Sequence, residues 1–130
     1  MMHAQRQATT LIELMIVTVV IGILALVLVP RVEESRNQAL LAEVRAQLDS
    51  MTWMARRYHA RQESYEGFDG LYEAEGSVSM TFTWLREDGM LVSAQHLAVP
   101  DHVCHTLVGE VPDVLVPEGA LLGRSVCVEL

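Results

Sequence analysis

Residues 14–29 have the sequence LMIVTVVIGILALVLV, which is 16 consecutive residues without a charged side chain. Extending the stretch back to residue 9 gives 21 residues, and a helix of that length would span about 32 Å. This length is close to the hydrocarbon thickness of a bilayer, so the stretch predicts a membrane-spanning helix. A cleaved secretory signal would have a shorter apolar core followed by a small-residue cleavage site, whereas this run ends in Val29, Pro30 and Arg31.

Charge is distributed unevenly along the 130-residue chain, whose formal net charge is −8. All nine basic residues are arginine, and residues 62–130 contain two of them against twelve acidic residues. The acidic distal part argues against a phosphate-binding surface there, and we expect no direct nucleic-acid binding. The only cysteines, Cys104 and Cys127, follow a membrane-directed N-terminus, and this combination predicts one disulfide in an oxidising compartment.

Glu13 is the one charged residue within the 21-residue stretch. An acidic side chain costs about 2.5 kcal/mol or more at the centre of a membrane and less near its surface. In one interpretation, Glu13 is hydrated at headgroup level beside Arg6. In the other, it pairs with a positive group that another subunit supplies. The residues alone leave both interpretations open.

Residues 9–14 have the sequence TTLIEL, which resembles the start of a mature type IV pilin or pseudopilin. In that family a short basic leader is removed by prepilin peptidase. After a cut behind Ala8, Glu13 becomes the fifth residue, Gly22 the fourteenth and Pro30 the twenty-second. These are positions at which the family has the same three residue types. The resemblance implies that Glu13, Gly22 and Pro30 serve assembly of a filament.

The chain departs from the family at the cut itself, where Ala8 replaces the usual Gly and Thr9 the usual Phe or Met. Thr9 excludes N-methyl-phenylalanine and leaves N-methylation of Thr9 open. The resemblance implies that Glu13 neutralises the new α-amino group of Thr9 on a neighbouring subunit. It also implies that the helix between Gly22 and Pro30 loosens when the filament forms, since Gly and Pro both weaken a helix.

The resemblance further implies partners and a location. The partners are other copies or related minor pilins, prepilin peptidase, the inner-membrane assembly machinery, and membrane lipid before assembly. The precursor would lie in the bacterial inner membrane and the product in an extracellular pilus. One alternative is a pseudopilin of a type II secretion or DNA-uptake machine, in a periplasmic pseudopilus. Another is an unprocessed membrane-anchored binding protein.

Beyond Pro30, apolar residues recur every three or four positions, which predicts an amphipathic helix. They are Leu41, Val44, Leu48, Met51, Ala55 and Tyr58. We therefore expect an α+β fold, in which one long helix packs on a small antiparallel sheet. The expected segments are a leader (1–8), a transmembrane and filament-core helix (9–30), the amphipathic half of that helix (31–61) and a globular head (62–130).

The head begins with an acidic, glycine-containing stretch at residues 62–76 that predicts a loop. Apolar and polar residues alternate at residues 77–85, which predicts a half-buried strand. The expected elements are strands at 77–85, 90–94, 113–116 and 125–130, and a short helix from 100 to 108. A Cys104–Cys127 disulfide would then tie the last strand to that helix, and the pilin family commonly staples its C-terminal region in this way.

No motif in the chain points to a metal, a cofactor or catalysis. His102, Cys104, His105 and Cys127 lack a standard zinc spacing, and the acidic loop lacks EF-hand spacing. The nucleophile-elbow, P-loop and zinc-protease signatures are absent from the sequence. We expect a structural protein, and the sequence leaves its major or minor role, its subclass (type IVa or IVb) and its biological task open.

Overall fold

The computed structural model describes the backbone from Met2 onwards and the side chains of residues 10–130. One helix, α1 (Met2–Gln62), precedes all the strands. The chain divides into two compact units, Met1–Arg36 and Asn37–Leu130. The predicted α+β class is confirmed. The strands are β1 (Val78–Leu85), β2 (Gly89–His96), β3 (Val99–Gly109) and β4 (Val126–Glu129).

The part of α1 that belongs to the second unit forms one side of its core. Val44, Leu48, Met51 and Ala55 are completely buried. Their spacing of three and four residues places them on one face of the helix. They share a single apolar cluster with side chains of the sheet. The predicted amphipathic half of the helix is therefore confirmed.

The four strands form an antiparallel sheet in which each strand lies beside the one that precedes it in the chain. One row of paired residues crosses the whole sheet, from Met80 through Ala94 and Cys104 to Cys127. All four belong to the core cluster or pack against it. This row therefore marks the sheet face that meets α1.

Strand β1 confirms the alternation seen in the sequence, whereas the first four residues of β2 are all buried. In β1 the side chains of Ser79, Thr81 and Thr83 are exposed, while Met80 and Phe82 are partly buried between them. Strand β2 extends beyond the predicted 90–94 at both ends. The predicted strand near the C-terminus is present as β4, which is shorter than expected.

The prediction of a short helix at residues 100–108 is wrong, because these residues belong to strand β3. Pro100 and Asp101 resemble a helix start, but the segment contains several β-branched residues that fit a pleated sheet. β3 pairs with β2 along one edge and, at residues 102–105, with β4 along the other. Pro100 lies near the start of the strand, where its missing N–H is tolerated.

The prediction of a strand at residues 113–116 is also wrong. Asp113–Leu115 forms a single 3-10 turn, and the side chain of Val114 is 95% exposed. Pro112 and Pro117 bracket this short segment, and neither can donate a backbone hydrogen bond to a neighbouring strand. The loop at residues 62–76 is confirmed, with a 3-10 turn at Phe68–Gly70.

Candidate functional site

The first unit of the chain exposes its apolar side chains on every side of α1. Every large apolar residue from Leu11 to Val32 is exposed, with values from 47% at Val17 to 78% at Leu26. The helix is long and apolar enough to cross a membrane, a property that signal sequences share. Soluble monomers rarely expose a contiguous apolar surface of this extent.

Glu13 and Thr18 are polar residues in this segment, and they differ in whether α1 supplies a partner for the side chain. The Thr18 hydroxyl donates a hydrogen bond of 2.9 Å to the carbonyl of Met15. A polar group satisfied within its own helix is compatible with lipid. Glu13 is exposed, and among residues 10–130 no cation forms an ion pair with it. Its side chain therefore has no charged partner among residues 10–130.

Gly22 and Pro30 both lie inside α1, which continues through them. A Cβ atom at Gly22 would meet nothing within 4 Å, so no contact within the chain requires glycine there. Pro30 cannot donate a hydrogen bond to the carbonyl of Leu26, which weakens the helix locally. The contacts of the described residues thus give neither residue a structural role in the isolated chain.

The predicted cleavage site, Ala8 and Thr9, lies outside the residues whose side chains the structure describes. The predicted disulfide is present in the second unit, where Cys104 and Cys127 face each other across β3 and β4. It links two strands, because the expected helix at residues 100–108 is a strand. Both sulfur atoms are bonded, so neither is available as a thiolate ligand, and residues 10–130 contain no cluster of three metal-binding side chains.

A row of polar side chains crosses three strands of the head. The Ser93 hydroxyl is 2.9 Å from Nδ1 of His105 and 3.3 Å from the Thr83 hydroxyl. Burial lowers the pKa of His105 below its ordinary value, because a charged imidazolium loses hydration there. Burial therefore favours the neutral form of His105, and its hydrogen bond to Ser93 joins β2 to β3.

A cleft of about 590 Å³ lies between α1 and the segment that leads into β4. The Ser125 hydroxyl donates a 3.1 Å hydrogen bond to Oδ1 of Asp49, which connects the two walls. Arg57 lies 4.5 Å above the ring of Trp53, and this ring is 59% exposed rather than buried under the head. The cleft is lined by Arg45, Asp49, Thr52, Trp53, Arg56, Gly123, Arg124 and Ser125.

Sequence reasoning missed this cleft, which we call the arginine cleft. Arg45, Thr52 and Arg56 are spaced by seven and four residues, a spacing that places them along one face of α1. That spacing was a usable signal. The position of Arg124 against them depends on the path of the chain after β3, which no local pattern reveals.

The predicted site residues therefore fall into two groups. Glu13, Gly22 and Pro30 lie on α1 in the first unit, and Cys104 and Cys127 lie in the sheet of the second. Comparison with models of known protein families, with curated proteins and with solved structures finds no match.

Proposed function

We propose that the chain is a structural subunit of a type IV pilus filament, cleaved by prepilin peptidase after Ala8 and polymerised through α1. The observation that carries this proposal is the apolar segment of α1, exposed on every side and containing Glu13 as its one acid. Lipid covers this surface before assembly, and the helices of neighbouring subunits cover it afterwards. A helix meant only to anchor the chain would not need the acid.

The pairing of Glu13 gives assembly a driving force. Cleavage after Ala8 creates an α-amino group on Thr9, and this positive charge would meet Glu13 of a neighbouring subunit. A buried charge is tolerated when it is paired and hydrogen-bonded. Docking then relieves the cost of keeping an acid in an apolar segment.

Gly22 and Pro30 support the same proposal. No contact within the chain requires glycine at position 22, and a proline inside a helix costs about 3 kcal/mol or more. Their place is explained if this part of α1 loosens as subunits pack. A loosened segment adjusts its side chains to several neighbours at once, which a rigid helix does less well.

The disulfide supports a location outside the cytoplasm for the head. Disulfides persist in oxidising compartments and are rare where thiols are kept reduced. The precursor would span the inner membrane with the Cys104–Cys127 disulfide on the oxidising side. The filament would then carry the heads to the cell surface.

Substitution of Glu13 by glutamine tests the proposal. Glu13→Gln should leave membrane insertion intact, measured as resistance to carbonate extraction, because glutamine is easier to place near lipid than a charged glutamate. Filament yield should fall about tenfold or more, since loss of about 1.4 kcal/mol in one contact changes an equilibrium constant tenfold. Electron microscopy and the mass of sheared filaments give the yield.

Glu33→Gln is the matched control, because Glu33 is an exposed acid on the same helix beyond the apolar run. It should assemble as the natural chain does. Normal filament yield from Glu13→Gln would contradict the proposed role of Glu13. Short periplasmic fibres without surface filaments would identify the chain as a pseudopilin instead.

A further inference from the structure

The arginine cleft is a positive site in an acidic protein. The charged residues that line it are Arg45, Arg56, Arg124 and Asp49. Their formal charges sum to +2, whereas the whole chain has a net charge of −8. The two ion pairs found among residues 10–130 both use histidine. Within that part of the chain, the three arginines therefore have no carboxylate partner.

Two further features indicate that the cleft is built to receive a ligand. Thr52 lines the cleft and is 8% exposed, yet its hydroxyl has no hydrogen-bond partner among the described residues. Buried hydroxyl groups without a partner are uncommon in folded proteins. Gly123 leaves space for Arg56, since a Cβ atom there would lie 2.8 Å from Nη2 of the guanidinium. An acceptor that entered the cleft would satisfy both the guanidinium groups and the hydroxyl.

The second unit also carries the complementary charge. The acidic loop, residues 62–76, contains five carboxylates whose side chains are all exposed, and no arginine among residues 10–130 pairs with them. They are Glu63, Glu66, Asp69, Glu73 and Glu75. The second unit therefore has a basic surface and an acidic surface that form no ion pair with each other.

The geometry points to a carboxylate-binding site: the arginine cleft receives carboxylates from the acidic loop of a second copy of this chain. Arginine binds carboxylates through two parallel hydrogen bonds, which fixes their orientation. A contact between two different surfaces of identical subunits is heterologous, and it propagates into a fibre when it does not close. The inference rests on the proposed filament and adds a head-to-head contact to the packing of α1.

The absence of lysine from the chain allows a direct test in the full-length protein. Arg56→Lys keeps the positive charge and introduces the only side-chain amine. A zero-length carbodiimide reagent joins that amine to a carboxylate only when the two are in contact. Assembled filaments made from equal amounts of unlabelled and nitrogen-15-labelled chains are treated, and mass spectrometry identifies the joined peptides and whether they come from different copies.

We expect mixed-isotope products that join position 56 to residues 62–76. Their yield should fall when the salt concentration is raised from about 0.1 M to about 1 M during the reaction, because the screening length shrinks from about 10 Å to about 3 Å. Arg86→Lys is the matched control, since Arg86 is exposed and lies outside the arginine cleft. Glu87, next to Arg86, accepts a backbone hydrogen bond from Tyr65, so this control can react with residues 62–76 of its own copy. It should give no mixed-isotope products with those residues.

Several outcomes would overturn the inference. Asp49 lines the same cleft, so a product that joins it to position 56 within one copy is expected in either case. The absence of mixed-isotope products that join position 56 to residues 62–76 would show that the acidic loop does not enter the cleft. Protection of Arg56 from phenylglyoxal by anionic phospholipid vesicles, without mixed-isotope products, would identify a lipid headgroup as the occupant. The proposed function is tested by a different result. If the chain is not a pilin, no filaments form, and the cross-linking experiment has no starting material.

Discussion

Gly89 and Gly109 face each other in the register of β2 and β3. The backbone at Gly109 has a φ of +70°, and a Cβ atom there would collide with the carbonyl oxygen of Asp88. A Cβ atom at Gly89 would collide with the backbone of Glu110. Two backbone segments approach each other closely at this end of the sheet. Glycine is therefore required at both positions for steric reasons, and at Gly109 for its positive φ as well.

We predict that Gly109→Ala destabilises the head by about 2 kcal/mol or more, because a left-handed backbone and a clash with another backbone segment add together. Urea unfolding of the full-length chain in detergent measures the loss, followed by the fluorescence of the two tryptophans. Gly70→Ala is the control, since a Cβ atom there would meet nothing within 4 Å. Equal stability of the two variants would contradict the prediction.

Strand β4 is the weakest element of the sheet. It has four residues and forms its ladder with β3 alone, and only partly buried side chains connect it to the core. The disulfide joins Cys104, which is completely buried, to Cys127 in the facing strand. The covalent bond therefore holds in place an element that short-range hydrogen bonding would hold weakly.

We predict that replacing both cysteines, Cys104→Ala with Cys127→Ala, lowers the free energy of unfolding of the head by about 3 kcal/mol, since the bond closes a loop of about two dozen residues. Urea unfolding with and without reductant measures this loss. The natural chain should lose a similar amount when it is reduced, which separates the bond from the change in side-chain volume. A natural chain whose stability does not depend on reductant would count against this role.

At the scale of the whole molecule, the two units have different requirements. The first exposes apolar side chains along α1, which is long and apolar enough to cross a membrane. The second has its own buried core, a complete sheet and a disulfide. In the proposed function, the second unit keeps this core while the first unit exchanges lipid for neighbouring subunits.

We predict that the intact mass of the full-length chain, recovered from membranes that contain prepilin peptidase, is lower by residues 1–8. The disulfide should lower it further by two hydrogen atoms, and a methyl group on Thr9 would be visible in the same spectrum. Ala8→Leu should keep the full mass, because a large side chain replaces the small one before the cut. An unchanged mass of the natural chain would favour a membrane-anchored binding protein.

The sequence by itself determined the elements that rest on local patterns. The uncharged run at residues 14–29 and the spacing of Val44, Leu48, Met51 and Ala55 predicted helix, and the alternation in β1 predicted a strand. The structure confirms the helix and the strand. The spacing of apolar residues along the sequence directly reflects the period of an amphipathic helix or a half-buried strand. The cysteine pair was predictable for a different reason, because the chain has only two cysteines.

Only the tertiary structure decided the elements that depend on distant partners. Residues 100–108 are a strand because β2 and β4 pair with both of their edges, and residues 113–116 are a turn between two prolines. The conformation of such short segments follows from neighbours in space more than from their own propensity. The arginine cleft belongs to the same class, since it exists only where the segment before β4 brings Arg124 against α1.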